Sequence, residues 1–381
     1  MEITLDNKEI PVLLLTGYLG SGKTTLVNRI LSNKKGIKFA VIVNDIGEVN
    51  IDADLIEKGG IVGSTDDSLV PLTNGCICCT LKMDLVAQLA ELTSARRFDY
   101  IVIEASGICE PAPIAQTIST IPALGPQYVR GALPYVDCIT TVVDALRMKS
   151  EFACGKALER EDIGEDDLER LVIEQIEFCN YVVLNKVSEV TPDELGELKA
   201  IVHALNPGAR ILTCDYGNVE LDELLYTGVF DFDRVATSAA WIAAIEGEED
   251  EDEPEGEALE YGIDTYVYYA RPALDLNKFD RMVAKAWPKE VIRAKGLCYF
   301  SDDISKCYLF EQAGPQKSIR DAGLWFATMP KEDLEEMMRR DRNLRRDWDP
   351  QYGDRMQKIV FIGQNLDKEG IESLMDSCLA E

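Results

Sequence analysis

Apolar residues run along this chain in two rhythms. Short unbroken stretches, Ile10–Leu15, Phe39–Val43 and Leu69–Leu72, have the length and composition of buried strands. Asp99–Glu104, Asp137–Asp144, Asn180–Lys186 and Ala209–Thr213 continue the series. Between them the spacing turns helical. Leu26–Leu31 opens one helix, and Leu81, Leu85, Leu89 and Leu92 trace a second. Pro111 and Pro113 start a third, residues 150–178 read as a long Glu-rich helix, and Glu194–Ala204 is closed by Pro207-Gly208. Strands alternating with helices predict an α/β domain: a mainly parallel sheet with helices on both faces.

The rhythm fades from about Asp231, and Glu246–Glu257 is an acidic low-complexity run, expected to be a solvated linker. A new pattern then begins. Tyr261–Ala270, Val291–Phe300, Ser305–Phe310 and Lys358–Gly363 read as strands, the middle two as a hairpin. Leu276–Trp287 and Lys368–Cys378 read as helices. That order predicts a small α+β ferredoxin-like sandwich. The expected organisation is a first domain over 1–231, a linker over 232–258 and a second domain over 259–381.

Charge and cysteine usage narrow the function. A formal net charge of −29 argues against a basic nucleic-acid surface and against anionic membranes. No stretch approaches the ~20 apolar residues of a membrane span. Met1–Asp6 lacks the basic and long apolar parts of a secretory leader, so a cytoplasmic protein is expected. Its 11 cysteines should then stay reduced. Cys109, Cys138, Cys154, Cys179, Cys214, Cys298, Cys307 and Cys378 are scattered, as small buried hydrophobes are. Only Cys76, Cys78 and Cys79 cluster.

Chemistry gathers where strands end. Gly17-Tyr18-Leu19-Gly20-Ser21-Gly22-Lys23-Thr24-Thr25 lies between the first strand and the first helix, which is the context of a phosphate-binding P-loop. Backbone N–H groups of such a loop cradle phosphate, Lys23 supplies charge, and the Thr24 hydroxyl can ligate Mg²⁺. The second strand ends in an acidic loop holding Asp45, Glu48 and Asp52, and Asp45 or Glu48 is the candidate for positioning water. Glu104, at another strand end, suits Mg²⁺, and the Gly107 N–H suits the γ-phosphate. Cys109 is a further thiol near that loop. Asn74-Gly75-Cys76-Ile77-Cys78-Cys79 forms a turn before a helix. A helix N-terminus favours thiolates, and three soft ligands suit Zn²⁺ or Cu⁺. A redox dithiol and a plain tight turn are the alternatives. Asn185-Lys186 matches the start of the base-reading Asn-Lys-x-Asp pattern, but Ser188 occupies its fourth position and has only one hydroxyl to offer. Glu189 is the nearest carboxylate that could compensate. His203, the one histidine, carries no reading. Arg293 and Lys295 could meet an acidic surface or phosphate, or be solvated strand-end charges.

Taken together, Gly17–Thr25, Asn44-Asp45-Ile46-Gly47-Glu48, Cys76-Ile77-Cys78-Cys79, Glu104-Ala105-Ser106-Gly107, Asn185-Lys186 and Arg293-Ala294-Lys295-Gly296 resemble the CobW-like metallochaperone GTPases. The resemblance spans nearly the whole chain. It implies a P-loop GTPase domain holding GTP or GDP through Gly17, Gly20, Ser21, Gly22, Lys23, Thr24, Thr25, Gly107, Asn185 and Lys186. Thr24 and Glu104 would hold Mg²⁺. Cys76, Cys78 and Cys79 would hold Zn²⁺, or Co²⁺ or Ni²⁺, for delivery to a client metalloprotein. Hydrolysis would use Lys23, Thr24, Asp45 and Glu104. The alternative is a nucleotide-dependent assembly factor for a cobalamin or metal enzyme that carries no metal itself. A homo-oligomer is left open. Ser188, Asp45 in place of the family's Glu, Ala105 in place of its Thr, and a linker without histidine are the departures.

Overall fold

The apolar runs of the first half of the chain line up side by side. The computed structural model describes residues 9–32, 35–43, 69–71, 82–107, 109–125, 128, 131–152, 166–232, 235, 262–313, 316–340, 342–346 and 348–380. Described residues up to Val235 belong mostly to one compact unit, and those from Gly262 on to a second. The first unit's strands are β1 (Glu9–Thr16), β2 (Phe39–Val43), β3 (Leu69–Pro71), β4 (Tyr100–Glu104), β5 (Leu133–Asp144), β6 (Tyr181–Asn185) and β7 (Arg210–Cys214). Their order is β3-β2-β4-β1-β5-β6-β7, and every described pairing is parallel.

Helices cover both faces, which is why the strands read as unbroken apolar runs. Helix α1 (Lys23–Leu31) puts Leu26, Val27 and Ile30 against Leu13, Leu15, Val41, Val43, Val102 and Val142. Residues of the opposite parity, such as Leu14, Ile103 and Ile139, are fully buried on the other face. There α2 (Lys82–Ser94) and α3 (Pro111–Leu124) pack together, and α3 lies on β5 and β1. Each fully buried Leu or Ile contributes about 1.5–3 kcal/mol. The expected helix over 150–178 is instead α4 (Ala145–Phe152) and α5 (Asp166–Glu177), with the residues between outside those described. Helix α6 (Pro192–Leu205) starts two residues earlier than its apolar spacing suggests. A capping box explains this: Glu194 N donates to the Thr191 hydroxyl, and Thr191 N donates to the Glu194 carboxylate. Pro192 then sits where its missing N–H costs nothing.

Asp137, fully buried in β5, ties down the end of this unit. Its carboxylate accepts from the Tyr100 hydroxyl, Thr227 N and Gly228 N, and its carbonyl from Phe230 N. Burial, with Asp137 beside it, pushes the Tyr100 hydroxyl well above the usual tyrosine range, so Tyr100 stays a donor.

The second unit is α+β. Its strands are β8 (Ile263–Ala270), β9 (Val291–Phe300), β10 (Asp303–Ala313), β11 (Gln316–Leu324) and β12 (Gln357–Gln364). They form an antiparallel sheet in the order β11-β10-β9-β12-β8, and β9 with β10 is the hairpin read from sequence. Helices α7 (Leu276–Lys285) and α8 (Lys368–Asp376) cover one face through Phe279, Met282, Ile371 and Met375. Asp275 and Asp367 cap them by accepting from Lys278 N and Gly370 N. Arg293 and Lys295 are not solvated strand-end charges. Glu311 lies opposite Lys295 in the β9–β10 register and takes its ammonium at 2.7 Å, with Arg293 at 3.7 Å and Arg320 at 2.5 Å. Burial raises the Glu311 carboxyl, but the three cations outweigh it and hold the group below the usual carboxylate range.

Candidate nucleotide site

The parallel sheet brings its motif residues to one edge. Glu104 ends β4 in register with Leu15 of β1 and Val43 of β2. Asp144 ends β5 opposite Asn185, which ends β6 opposite Cys214 at the end of β7. Open α/β sheets bind ligands at this carboxyl edge, where strand order reverses. Here the order reverses around β1, whose neighbours β4 and β5 lead away in opposite directions.

The P-loop leaves β1 at that point. Gly17, Gly20 and Gly22 take φ values of 133°, 78° and 108°. Gly22 is the N-cap of α1, and no side chain caps the helix or places an acid in its first turn. Its first N–H groups therefore face outward with a positive dipole end behind them. A Cβ at Gly22 would lie 2.2 Å from Asn185 Nδ2, so the position demands glycine twice over. Ser21 Oγ is buried with no hydrogen-bond partner among the described residues. Outward N–H groups and a buried orphan hydroxyl fit the oxygens of a phosphate chain.

Lys23 is 7% exposed and turns its Nζ onto Gly17 O at 2.8 Å and Tyr18 O at 3.2 Å. Thr24 donates its hydroxyl to Glu104 Oε1 at 2.8 Å, joining residues 80 apart in sequence. A threonine hydroxyl beside a buried carboxylate, both oxygen donors, suits a hard cation such as Mg²⁺. Thr25 is exposed on α1. Gly107 packs directly on the P-loop: a Cβ there would be 2.7 Å from Leu19 N and 2.8 Å from Leu19 Cγ.

The other end of the site is built on Asn185 and Lys186. The Asn185 amide donates to Ser21 O at 2.8 Å and accepts from Gly217 N at 3.1 Å. Lys186, at φ 62°, pairs with Asp144 at 2.5 Å. Asp144 also accepts from Arg147 N, and the Arg147 guanidinium sits 3.8 Å from the centroid of the Tyr18 ring. Ser188 N and Oγ both donate to Asp215 Oδ1, at 3.0 and 2.9 Å. Asp144, Arg147 and Asp215 were not legible as site residues. Only Asp144 carried a signal, as an acid at a strand end.

Asp45, Glu48, Asp52 and the Cys76-Ile77-Cys78-Cys79 turn lie outside the described residues. Cys138, Cys179, Cys214, Cys298, Cys307 and Cys378 are buried free thiols, as expected of small hydrophobes. Burial pushes Cys214 up to about 11, and Cys179 and Cys307 up to about 12, so they stay protonated and make poor ligands. Cys109 is fully buried as well, as expected of a small hydrophobe. No helix among the described residues is long and apolar enough to cross a membrane.

The chain is similar to known proteins. Residues 11–213 match the family model described as CobW/HypB/UreG, nucleotide-binding domain, and residues 263–379 match the cobalamin synthesis protein cobW C-terminal domain. The chain is 34% identical over 392 residues to zinc-regulated GTPase metalloprotein activator 1 of Dictyostelium discoideum, covering 98% of this chain and 80% of that protein. It is 29% identical over 296 residues to zinc chaperone CobW of a Sinorhizobium species, covering 76% of this chain and 81% of that protein. The crystal structure of Zn(II)-bound YjiA GTPase from E. coli aligns over 98% of this chain and 100% of that one, with 20% identity and a TM-score of 0.42.

Proposed function

This chain belongs to the CobW/HypB/UreG family of nucleotide-binding proteins, and from that premise we propose that it is a GTP-hydrolysing metallochaperone. It binds Zn²⁺ at Cys76, Cys78 and Cys79 and hands it to a client metalloprotein. The observation that carries this reading is the joint between P-loop and sensor segment, where Thr24 meets Glu104 at 2.8 Å and Leu19 packs on Gly107. The strand before the cysteine motif supports it too: β3 ends at Pro71, in register with Val43 on the same sheet edge. The names of the relatives support zinc as the cargo.

In this reading the P-loop N–H groups and Lys23 hold the phosphates of GTP. Lys23 exchanges its carbonyl partners for phosphate oxygens, so its charge is already placed where negative charge develops. Thr24 and Glu104 would hold Mg²⁺, which would supply positive charge against the phosphates. Asp45 or Glu48 orients a water that attacks the γ-phosphorus, and the bridging oxygen leaves with GDP. The Gly107 N–H reads the γ-phosphate. Loss of that group frees the Glu104–Gly107 segment, and the thiolates change their grip on Zn²⁺.

A zinc-competition titration against a chelator, on the full chain in the apo, GDP and GTP states, tests this. Wild type should retain zinc with an affinity differing between GDP and GTP by about 5-fold or more, the lower end of ordinary site coupling. The Cys76→Ser, Cys78→Ser, Cys79→Ser triple variant should lose it while still hydrolysing GTP. Equal zinc affinity in wild type and variant would sink the metallochaperone reading and leave the assembly factor.

A further inference from the structure

The pattern Asn-Lys-x-Asp reads guanine through the carboxylate at its fourth position. This chain has Ser188 there, so the carboxylate must come from elsewhere if guanine is read at all. Guanine presents donors at N1–H and N2–H₂ on its pairing edge, whereas adenine presents an acceptor at N1. An ionised carboxylate offers acceptors only. It therefore matches guanine and meets adenine lone pair against lone pair.

Ser188 holds a carboxylate in place. Its N–H and its hydroxyl both donate to Asp215 Oδ1, at 3.0 and 2.9 Å. Asp215 follows Cys214, the last residue of β7, which pairs in register with Asn185. The turn beyond it is fixed as well. Asn218 N returns to Asp215 O at 3.0 Å, Gly217 N donates to Asn185 Oδ1 at 3.1 Å, and Tyr216 and Gly217 take φ values of 52° and 62°. Asp215 is thus anchored through its backbone on both sides and through one carboxylate oxygen. Oδ2 has no partner among the described residues. Glu189, the nearer carboxylate in sequence, is exposed, and no side-chain contact anchors it among the described residues.

We infer that Asp215 supplies the base-reading carboxylate from the β7 loop, with Ser188 as its holder, and that this makes the site selective for guanine nucleotides. Ser188 and Asp215 lie on two loops that the β6–β7 pairing holds together. The inference rests on the nucleotide-site reading above and deepens it.

The test measures binding of Mg²⁺ complexes of GTP, ATP and XTP to the full chain by calorimetry. Wild type should prefer GTP to ATP by on the order of 100-fold or more, as two charge-assisted hydrogen bonds allow. Asp215→Asn should lose most of that preference and gain affinity for XTP, because xanthine carries an acceptor where guanine has its N2 amino group. Its ATP affinity should not change. Ser188→Ala, a milder variant, should weaken GTP alone by about 10-fold, one hydrogen bond's worth, and Glu189→Gln should change nothing. A GTP preference that survives in Asp215→Asn, or an equal loss of GTP and ATP, would overturn the inference. Wild type binding GTP and ATP alike would overturn it while sparing the nucleotide site. Wild type binding no nucleotide would overturn both.

Discussion

Asn185 is where the fold and the site share one side chain. It is 2% exposed, donates to Ser21 O in the P-loop, and accepts from Gly217 N in the β7 loop. Replacing it by alanine removes both of these, and the bond from the Cys214 thiol to its Oδ1, and strands two buried backbone groups, each costing about 1–3 kcal/mol. The variant should lose about 2–5 kcal/mol from the first unit. Two probes separate this from a general effect. Of the four tryptophans, Trp287, Trp325 and Trp348 lie in the second unit, and Trp241 lies outside the described residues; with Trp241 replaced by phenylalanine in every protein compared, tryptophan emission follows the second unit, while far-UV circular dichroism follows both. In urea, the dichroism transition should move to lower concentration with its slope unchanged, and the emission transition should stay put. Nucleotide linkage adds a second measurement. GTP at a hundred times its dissociation constant should stabilise the wild-type first unit by about 2.7 kcal/mol. At the same GTP concentration the variant should gain much less, because its P-loop and base loop are no longer joined. An unchanged dichroism midpoint, or an equal gain from GTP, would refute the argument that Asn185 couples the two ends of the site.

Other outcomes follow from single contacts. Gly107→Ala places a Cβ within 2.7 Å of Leu19 N, so the P-loop must shift. Steady-state GTP hydrolysis should fall about 10–100-fold with the urea midpoint nearly unchanged, and a wild-type rate would show that the Gly107–Leu19 contact is idle. Glu311 gives a pH dependence. Its folded pKa is depressed, so its stabilisation is fully present above the unfolded value of about 4.3 and is lost as pH falls through the folded value. Glu311→Gln should cost the second unit about 3–5 kcal/mol at neutral pH, by stranding buried cations. The gap to wild type, read by tryptophan emission in urea, should close as pH falls through the folded value. A pH-independent gap would mean that the loss is packing and not charge.

The parallel sheet, the P-loop and the β9–β10 hairpin were legible because each is announced locally, by an apolar run, a glycine pattern or a turn. Residues that complete the site are announced nowhere locally. Asp215 meets Ser188 27 residues away, Lys186 reaches Asp144 across 42, and Thr24 reaches Glu104 across 80. Only strand order brings these together, and composition does not encode strand order. For the same reason Arg293 and Lys295 read as surface charge: their partner Glu311 lies on the next strand, facing Lys295 across the ladder. The general consequence concerns departures from a motif. In a parallel sheet the loops that leave neighbouring strands form one surface, so chemistry missing from one loop can be supplied by the next. Once Asn185 is paired with Cys214, the place to look for the acid missing at Ser188 is the residue after Cys214, and it is an aspartate. A serine at the fourth position of Asn-Lys-x-Asp is then half of a rearranged pair, and its meaning depends on what the adjacent strand delivers.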